Sequence, residues 1–166
     1  MQRYIGFMKD FENPISAEVL NAEGFFTAPA STKYHGSYEG GLFDHSLAVA
    51  ESLVEFTEKN NLSWTNERSP YIIGMFHDLC KTDSYFHNGE EYEHSSKTLL
   101  KGHGDKSIMM LSTMMQLTME EVVCIRYHMG SYNTDEWDQY DKAIKSFPNV
   151  LWTHHADMYA SKVIGV

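Results

Sequence analysis

The chain has 166 residues, of which 42% are hydrophobic and 22% charged, so it can bury a core as one domain of an ordinary globular protein. Its net charge of −10 argues against a broad basic surface for duplex nucleic acid, although bound metal cations would still attract a phosphate. No apolar run approaches the ~18 residues of a membrane span, and the first ten residues lack the apolar core of a signal peptide. Cys80 and Cys124 lie in apolar helical stretches and are predicted to be reduced, so we predict a cytoplasmic protein without a membrane partner.

The N-terminal part divides into short helices and a long loop. Residues 1–23 predict short amphipathic helices, and Ser16 is placed to cap one of them. Residues 24–41 contain glycine, proline and serine throughout, which predicts a loop of the length that is usually functional or mobile. Lys33 and His35 in this loop are candidate substrate contacts that could close over a ligand; the alternative is an ordinary surface loop.

A helical core is predicted over residues 42–166, and its first helix covers about residues 42–58. Leu42, His45, Val49 and Leu53 recur at spacings of three and four residues, so they share one apolar face. His45 on this face is either a core histidine with a hydrogen-bond partner or a metal ligand.

The next helix ends at the pair His77-Asp78. Ser69 is placed to cap it, and Pro70 suits its first position. Burying an imidazole beside a carboxylate costs free energy unless both are satisfied, which a metal ion would do. The alternative is a solvated helix end, and Lys81 is correspondingly either a phosphate contact or a solvated lysine.

The remaining segments predict a small hairpin and further helices. Asn88-Gly89 is a strong turn signal, so a β-hairpin is predicted near residues 84–93. Thr118 and Glu121 form a capping-box pattern at the start of a helix. Lys106 and Arg126 are expected to face solvent.

Three more candidate ligands lie in this C-terminal half. His103 opens a helix, His128 interrupts an apolar stripe, and Asp157 lies on the inward face of the last helix. A buried aspartate without a partner is costly, so something should bind Asp157.

Six side chains on five helical segments therefore predict one internal metal site: His45, His77, Asp78, His103, His128 and Asp157. Nitrogen and oxygen ligands without thiolates suit manganese, iron, cobalt, nickel or zinc, and magnesium is also compatible. Six ligands exceed one tetrahedral site and are enough for two neighbouring divalent metals.

The order of these residues resembles the HD-domain superfamily of metal-dependent phosphohydrolases. The segment GGLFDHSL at 40–47 is similar to the first ligand motif, HDLCK at 77–81 to the name-giving motif, and Asp157 to the last ligand. His103 and His128 match the additional histidines of members with two metals. The resemblance covers about residues 34–163.

This resemblance implies an all-α HD-domain helical bundle that hydrolyses a phosphate ester, a nucleotide or related small molecule being favoured, by attack of metal-bound hydroxide. It implies that His45, His77, Asp78 and Asp157 hold one metal, and that Asp78 bridges to a second metal held by His103 and His128. Asp78 and Lys81 are then the catalytic candidates, with Lys81 contacting the phosphate.

Some features separate the chain from parts of this superfamily. Cys80 stands where many members have glycine, and no glycine-tyrosine-proline signature follows, which disfavours a cyclic-di-GMP phosphodiesterase. Residues 35–47 are also similar to a bacterial three-prime exoribonuclease, but no second domain for RNA recognition is seen, so single-stranded nucleic acid is the weaker substrate alternative. An HD-fold di-iron oxygenase and a non-catalytic nucleotide-binding module remain alternative functions.

Overall fold

The computed structural model describes residues 1–11, 14–133 and 135–166, the side chains of residues 132 and 133 excepted. In this part of the chain, eight α-helices and one two-stranded antiparallel sheet confirm a mostly α fold with a small β-hairpin. The helices are α1 (Gln2–Phe7), α2 (Ala17–Ala22), α3 (Gly41–Asn60), α4 (Ser69–Phe76), α5 (Gly104–Ser112), α6 (Met119–Arg126), α7 (Trp137–Ser146) and α8 (Asn149–Tyr159). Short 3₁₀ turns cover Leu79–Asp83 and Gly130–Asn133, and a π-helical turn covers Ala160–Ile164.

Two of the three helix caps predicted from the sequence form in the structure. Ser16 caps α2, and Thr118 forms a complete capping box with Glu121 at the start of α6, both as predicted. The predicted cap at Ser69 is wrong, because α4 already begins at Ser69 and Arg68 takes the N-cap position. The Ser69 hydroxyl instead donates to the buried Glu121 carboxylate at 3.1 Å. The hydroxyl thus donates to a distant carboxylate instead of accepting a hydrogen bond from a backbone amide of its own helix.

The centre of the fold is the packing of α3 on α4, with α8 and the π turn against α3. Gly74 on α4 allows the close approach, because a Cβ at this position would lie 2.3 Å from Ala50 Cα on α3. Leu42, Val49 and Leu53 on the predicted face of α3 are fully buried. Substituting Gly74 by any larger residue would push the two helices apart.

The predicted loop before α3 is irregular but is folded onto the core. Phe25 is fully buried and its ring packs 5.9 Å from Phe76. The chain reverses tightly at Gly36, whose carbonyl accepts a hydrogen bond from Ala30 N at 2.8 Å. The hydroxyl of Ser31 donates to the His35 carbonyl at 2.8 Å and so fixes the backbone there.

The hairpin consists of β1 (Tyr85–His87) and β2 (Tyr92–His94), as the turn signal predicted. The buried side chain of Lys106 contacts the segments that flank the hairpin. The Lys106 ammonium donates to Asp83 and to Thr98. The expectation that Lys106 faces solvent is therefore wrong, because the charge is satisfied internally.

Two further observations bear on the composition-based expectations. Cys80 and Cys124 are both buried and unlinked. Among the helices formed by the described residues, none is both long and apolar enough to cross a bilayer.

Candidate metal centre

The fold brings the six predicted ligands together from five segments of the chain. His45 lies on the second turn of α3, His77 ends α4, and Asp78 follows it directly. The other three lie at the N-cap of α5, just beyond the end of α6 and on α8: His103, His128 and Asp157. All except His103 are buried, and the His103 side chain is 25% exposed.

Asp78 divides its two carboxylate oxygens between two groups of histidines. Its Oδ2 lies 3.6 Å from His45 Nε2 and 3.5 Å from His77 Nε2. Its Oδ1 lies 2.7 Å from His103 Nε2 and 3.5 Å from His128 Nε2. We call these the first group (His45, His77, Asp78) and the second group (Asp78, His103, His128). One carboxylate therefore faces two separate sets of ring nitrogens.

The distances within the first group fit a shared cation. Ligands that each lie ~2.1 Å from an ion are separated by no more than ~4.2 Å. The Nε2 atoms of His45 and His77 are 3.3 Å apart. Asp157 Oδ1 lies 3.2 Å from His45 Nε2 and 4.0 Å from His77 Nε2, so this carboxylate could complete the group. In the second group, Asp78 Oδ1 lies 2.7 and 3.5 Å from the two histidine nitrogens, and all three ligand atoms lie within 4.8 Å of one another.

Each histidine has a partner for the nitrogen that points away from the site. His77 Nδ1 lies 2.9 Å from the Gly74 carbonyl, and His128 Nδ1 lies 2.6 Å from the Ile125 carbonyl. A carbonyl oxygen can only accept, so Nδ1 carries the proton and Nε2 offers its lone pair to the site. This tautomer is the one that binds a metal through Nε2.

One buried atom of the second group, His128 Nε2, lacks a hydrogen bond among the described residues, whereas Asp78 Oδ1 lies 2.7 Å from His103 Nε2. Buried polar groups without a partner are rare and costly, and an absent ion or water is a common reason. The second group could therefore hold a metal ion.

Asp78 is also paired with Lys81, whose Nζ lies 2.6 Å from Asp78 Oδ2. Burial raises the pKa of Asp78, but Lys81, His77 and His103 lower it more, so the carboxyl pKa is well below its usual range. Burial lowers the pKa of Lys81, but Asp78 raises it more. A buried ammonium–carboxylate pair therefore forms in the metal-free protein.

The histidines differ in charge because their surroundings differ. Burial lowers the pKa of His77 to about 3, and burial with the neighbouring His45 lowers that of His35 to about 4. Burial also lowers the pKa of His103, but Asp78 raises it to about 10 in the metal-free protein. A metal at the second group must displace the proton from His103, whereas His77 is ready to bind.

A cavity of about 620 Å³ opens over the centre. Its polar lining includes Asp78, Lys81, His103 and Asp157, together with the predicted contact His35. The Nδ1 atom of His35 is buried and has no hydrogen-bond partner among the described residues, so this ring could donate to a ligand. The cavity has the size of pockets that hold small molecules, typically ~300–1,000 Å³.

The structure shows where the second predicted loop contact, Lys33, lies relative to the cavity, and it adds lining residues that the sequence had not indicated. Lys33 is exposed and is not among the cavity-lining residues in the described part of the chain, so its role stays a prediction. Sequence patterns had not selected the lining residues Tyr85, Met129 and Lys162. Ser161 lies four residues after Asp157 and therefore on the same helical face, and Lys162 follows it directly. This spacing could have indicated that Lys162 lies near the site.

Comparisons with known proteins do not assign this chain to a family. No family model matches the chain, and neither does a curated protein sequence or a solved structure. The functional inference therefore depends on the residues and their arrangement.

Proposed function

We propose that this chain is a metal-dependent phosphohydrolase of the HD-domain type, acting on a phosphate ester of the size of a nucleotide. The observation that carries the proposal is Asp78, whose two oxygens face two histidine groups. Carboxylates can bridge two cations, and paired metals ~3.5–4 Å apart are typical of phosphate-ester hydrolases.

The donor set supports a catalytic rather than a structural metal. The first group with Asp157, and the second group, consist of imidazoles and carboxylates without a thiolate, which suits manganese, iron, cobalt, nickel or zinc. The Cys80 thiol belongs to neither group and lies beside the far nitrogen of His103, with Sγ 3.3 Å from Nδ1. When bound, such metals make a coordinated water acidic enough to react near neutral pH and offset negative charge on phosphoryl oxygens.

The chain's own residues would then bind and orient the anionic substrate. Lys81 lines the cavity beside Asp78, with which it forms an ion pair. Because its ammonium lies at the cavity wall next to the candidate metal groups, it is placed to contact a phosphate oxygen. His35, neutral near pH 7 because its pKa is about 4, would donate a hydrogen bond without adding charge. Both positions favour a compact anion despite the chain's net charge of −10.

The test begins with elemental analysis of gently purified protein. The protein loaded with the metal found should then be assayed against phosphomonoesters, phosphodiesters and nucleotides. Release of phosphate or of a phosphomonoester product, abolished in Asp78→Asn and retained when exposed Lys142 is changed to alanine, would support the proposal.

Three outcomes contradict the proposal. Protein that cannot be loaded with any of these metals has no such centre. Iron-loaded protein that consumes oxygen without cleaving phosphate esters would be an oxygenase. Stoichiometric nucleotide binding without turnover by the metal-loaded protein would make the chain a binding module.

A further inference from the structure

The histidine of the first group on α3 is oriented by a distant part of the chain. His45 Nδ1 lies 2.9 Å from the Val166 carbonyl oxygen, 121 residues away in sequence. His77 and His128 instead use carbonyls only three residues before them. Their support is a property of the local turn, whereas that of His45 depends on tertiary structure.

The C-terminal turn is shaped so that Val166 reaches α3. After α8 the chain widens into the π turn Ala160–Ile164, and Gly165 then adopts a left-handed conformation with φ of 88°. The amides of Gly165 and Val166 both donate to the Ala160 carbonyl, at 2.9 and 3.2 Å. This backbone arrangement folds the last residues back over the first group, and π turns are frequent at functional sites.

The acceptor at Val166 decides which nitrogen of His45 faces the site. In the neutral ring, a proton on Nδ1 that is donated to this carbonyl leaves the lone pair on Nε2, which lies 3.3 Å from His77 Nε2. Without the acceptor, the proton can move to Nε2, and the ring can also turn away from the site. Either change would remove the lone pair that a metal needs.

We propose that the Val166 carbonyl is a positioning group for His45, so that the C-terminal turn sets the metal affinity of the first group. The inference rests on the metal centre of the proposed function but not on the reaction it catalyses. Because coupling between two sites is reciprocal, metal bound at the first group should also hold the turn in place.

The test compares four proteins in parallel titrations with Mn²⁺, Co²⁺ and Zn²⁺, followed by calorimetry. They are the unaltered chain, a deletion of Val166, the conservative variant Val166→Ala, and Val163→Ala as a control at an exposed side chain of the same turn. The deletion should weaken one of two metal-binding events ~10- to 100-fold, as loss of an outer partner typically does. Val166→Ala retains the carbonyl and should restore the affinity.

A second measurement uses the unaltered chain and does not depend on how the deletion variant folds. Metal loading should slow hydrogen exchange at the amides of Gly165 and Val166, measured by NMR. Unchanged affinity in a folded deletion variant, or exchange at these amides that is indifferent to metal, would overturn the inference. Metal binding without phosphate-ester hydrolysis would contradict the proposed function and leave this inference standing, whereas an unaltered chain that binds no metal would contradict both.

Discussion

Replacing Asp78 by asparagine should affect both metal groups and the stability of the metal-free protein. The substitution keeps the shape of the side chain and removes its charge. Both groups lose a carboxylate oxygen, since Oδ2 faces one and Oδ1 the other. We therefore expect substoichiometric metal at both groups and no hydrolytic activity.

The stability effect follows from the partners that Asp78 leaves behind. Lys81 Nζ lies 2.6 Å from the carboxylate, and the Lys81 side chain is 10% exposed. Removing one partner of a buried ion pair typically costs ~3–5 kcal/mol, because the remaining charge is left without compensation. The metal-free variant should lose stability on that scale, and the loss should shrink when Lys81 is also replaced by methionine.

The assay is urea denaturation with a chelator present, applied to Asp78→Asn, Lys81→Met and the double variant. A double-mutant cycle between contacting residues isolates their coupling, which we expect to be ~1–3 kcal/mol here. Circular dichroism checks that each variant is folded before its metal content is measured. Full metal content in folded Asp78→Asn, or additive effects in the cycle, would refute this account of Asp78.

Three further outcomes are expected. His128→Ala should keep about one metal per chain, because it removes a ligand of the second group only; elemental analysis of this folded variant should not show two. Lys81→Ala should raise KM for the true substrate with metal content preserved, whereas Lys142→Ala, at an exposed position on α7, should not; equal kinetics would return Lys81 to a structural role. As pH rises from ~6.5 to 10, the free energy of unfolding of the metal-free protein should fall by up to about 1.4 kcal/mol per pH unit. The reason is that the His103 pKa is raised to about 10, so only the folded state keeps that proton in this range. Urea denaturation at a series of pH values would measure this slope, which should disappear in the control variant His103→Gln.

The sequence alone predicted the mostly helical fold, the hairpin and the candidate ligands that the structure brings together. A spacing of three and four residues places His45 on the buried face of α3, and Asn88-Gly89 fixes the hairpin turn between its strands. These features depend on neighbours a few residues away, and local periodicity and turn chemistry report such neighbours directly. The chemical type of the candidate site was predictable for the same reason.

Only the tertiary structure decided which partner each of these side chains meets. Periodicity indicates that a residue faces inward, but it does not identify the group across from it. The pairing of Lys81 with Asp78, the internal anchoring of Lys106 and the acceptor for His45 all needed the packed chain. Buried polar groups must be satisfied wherever the fold offers a partner, and for His45 this partner lies at Val166, which no local pattern could have indicated.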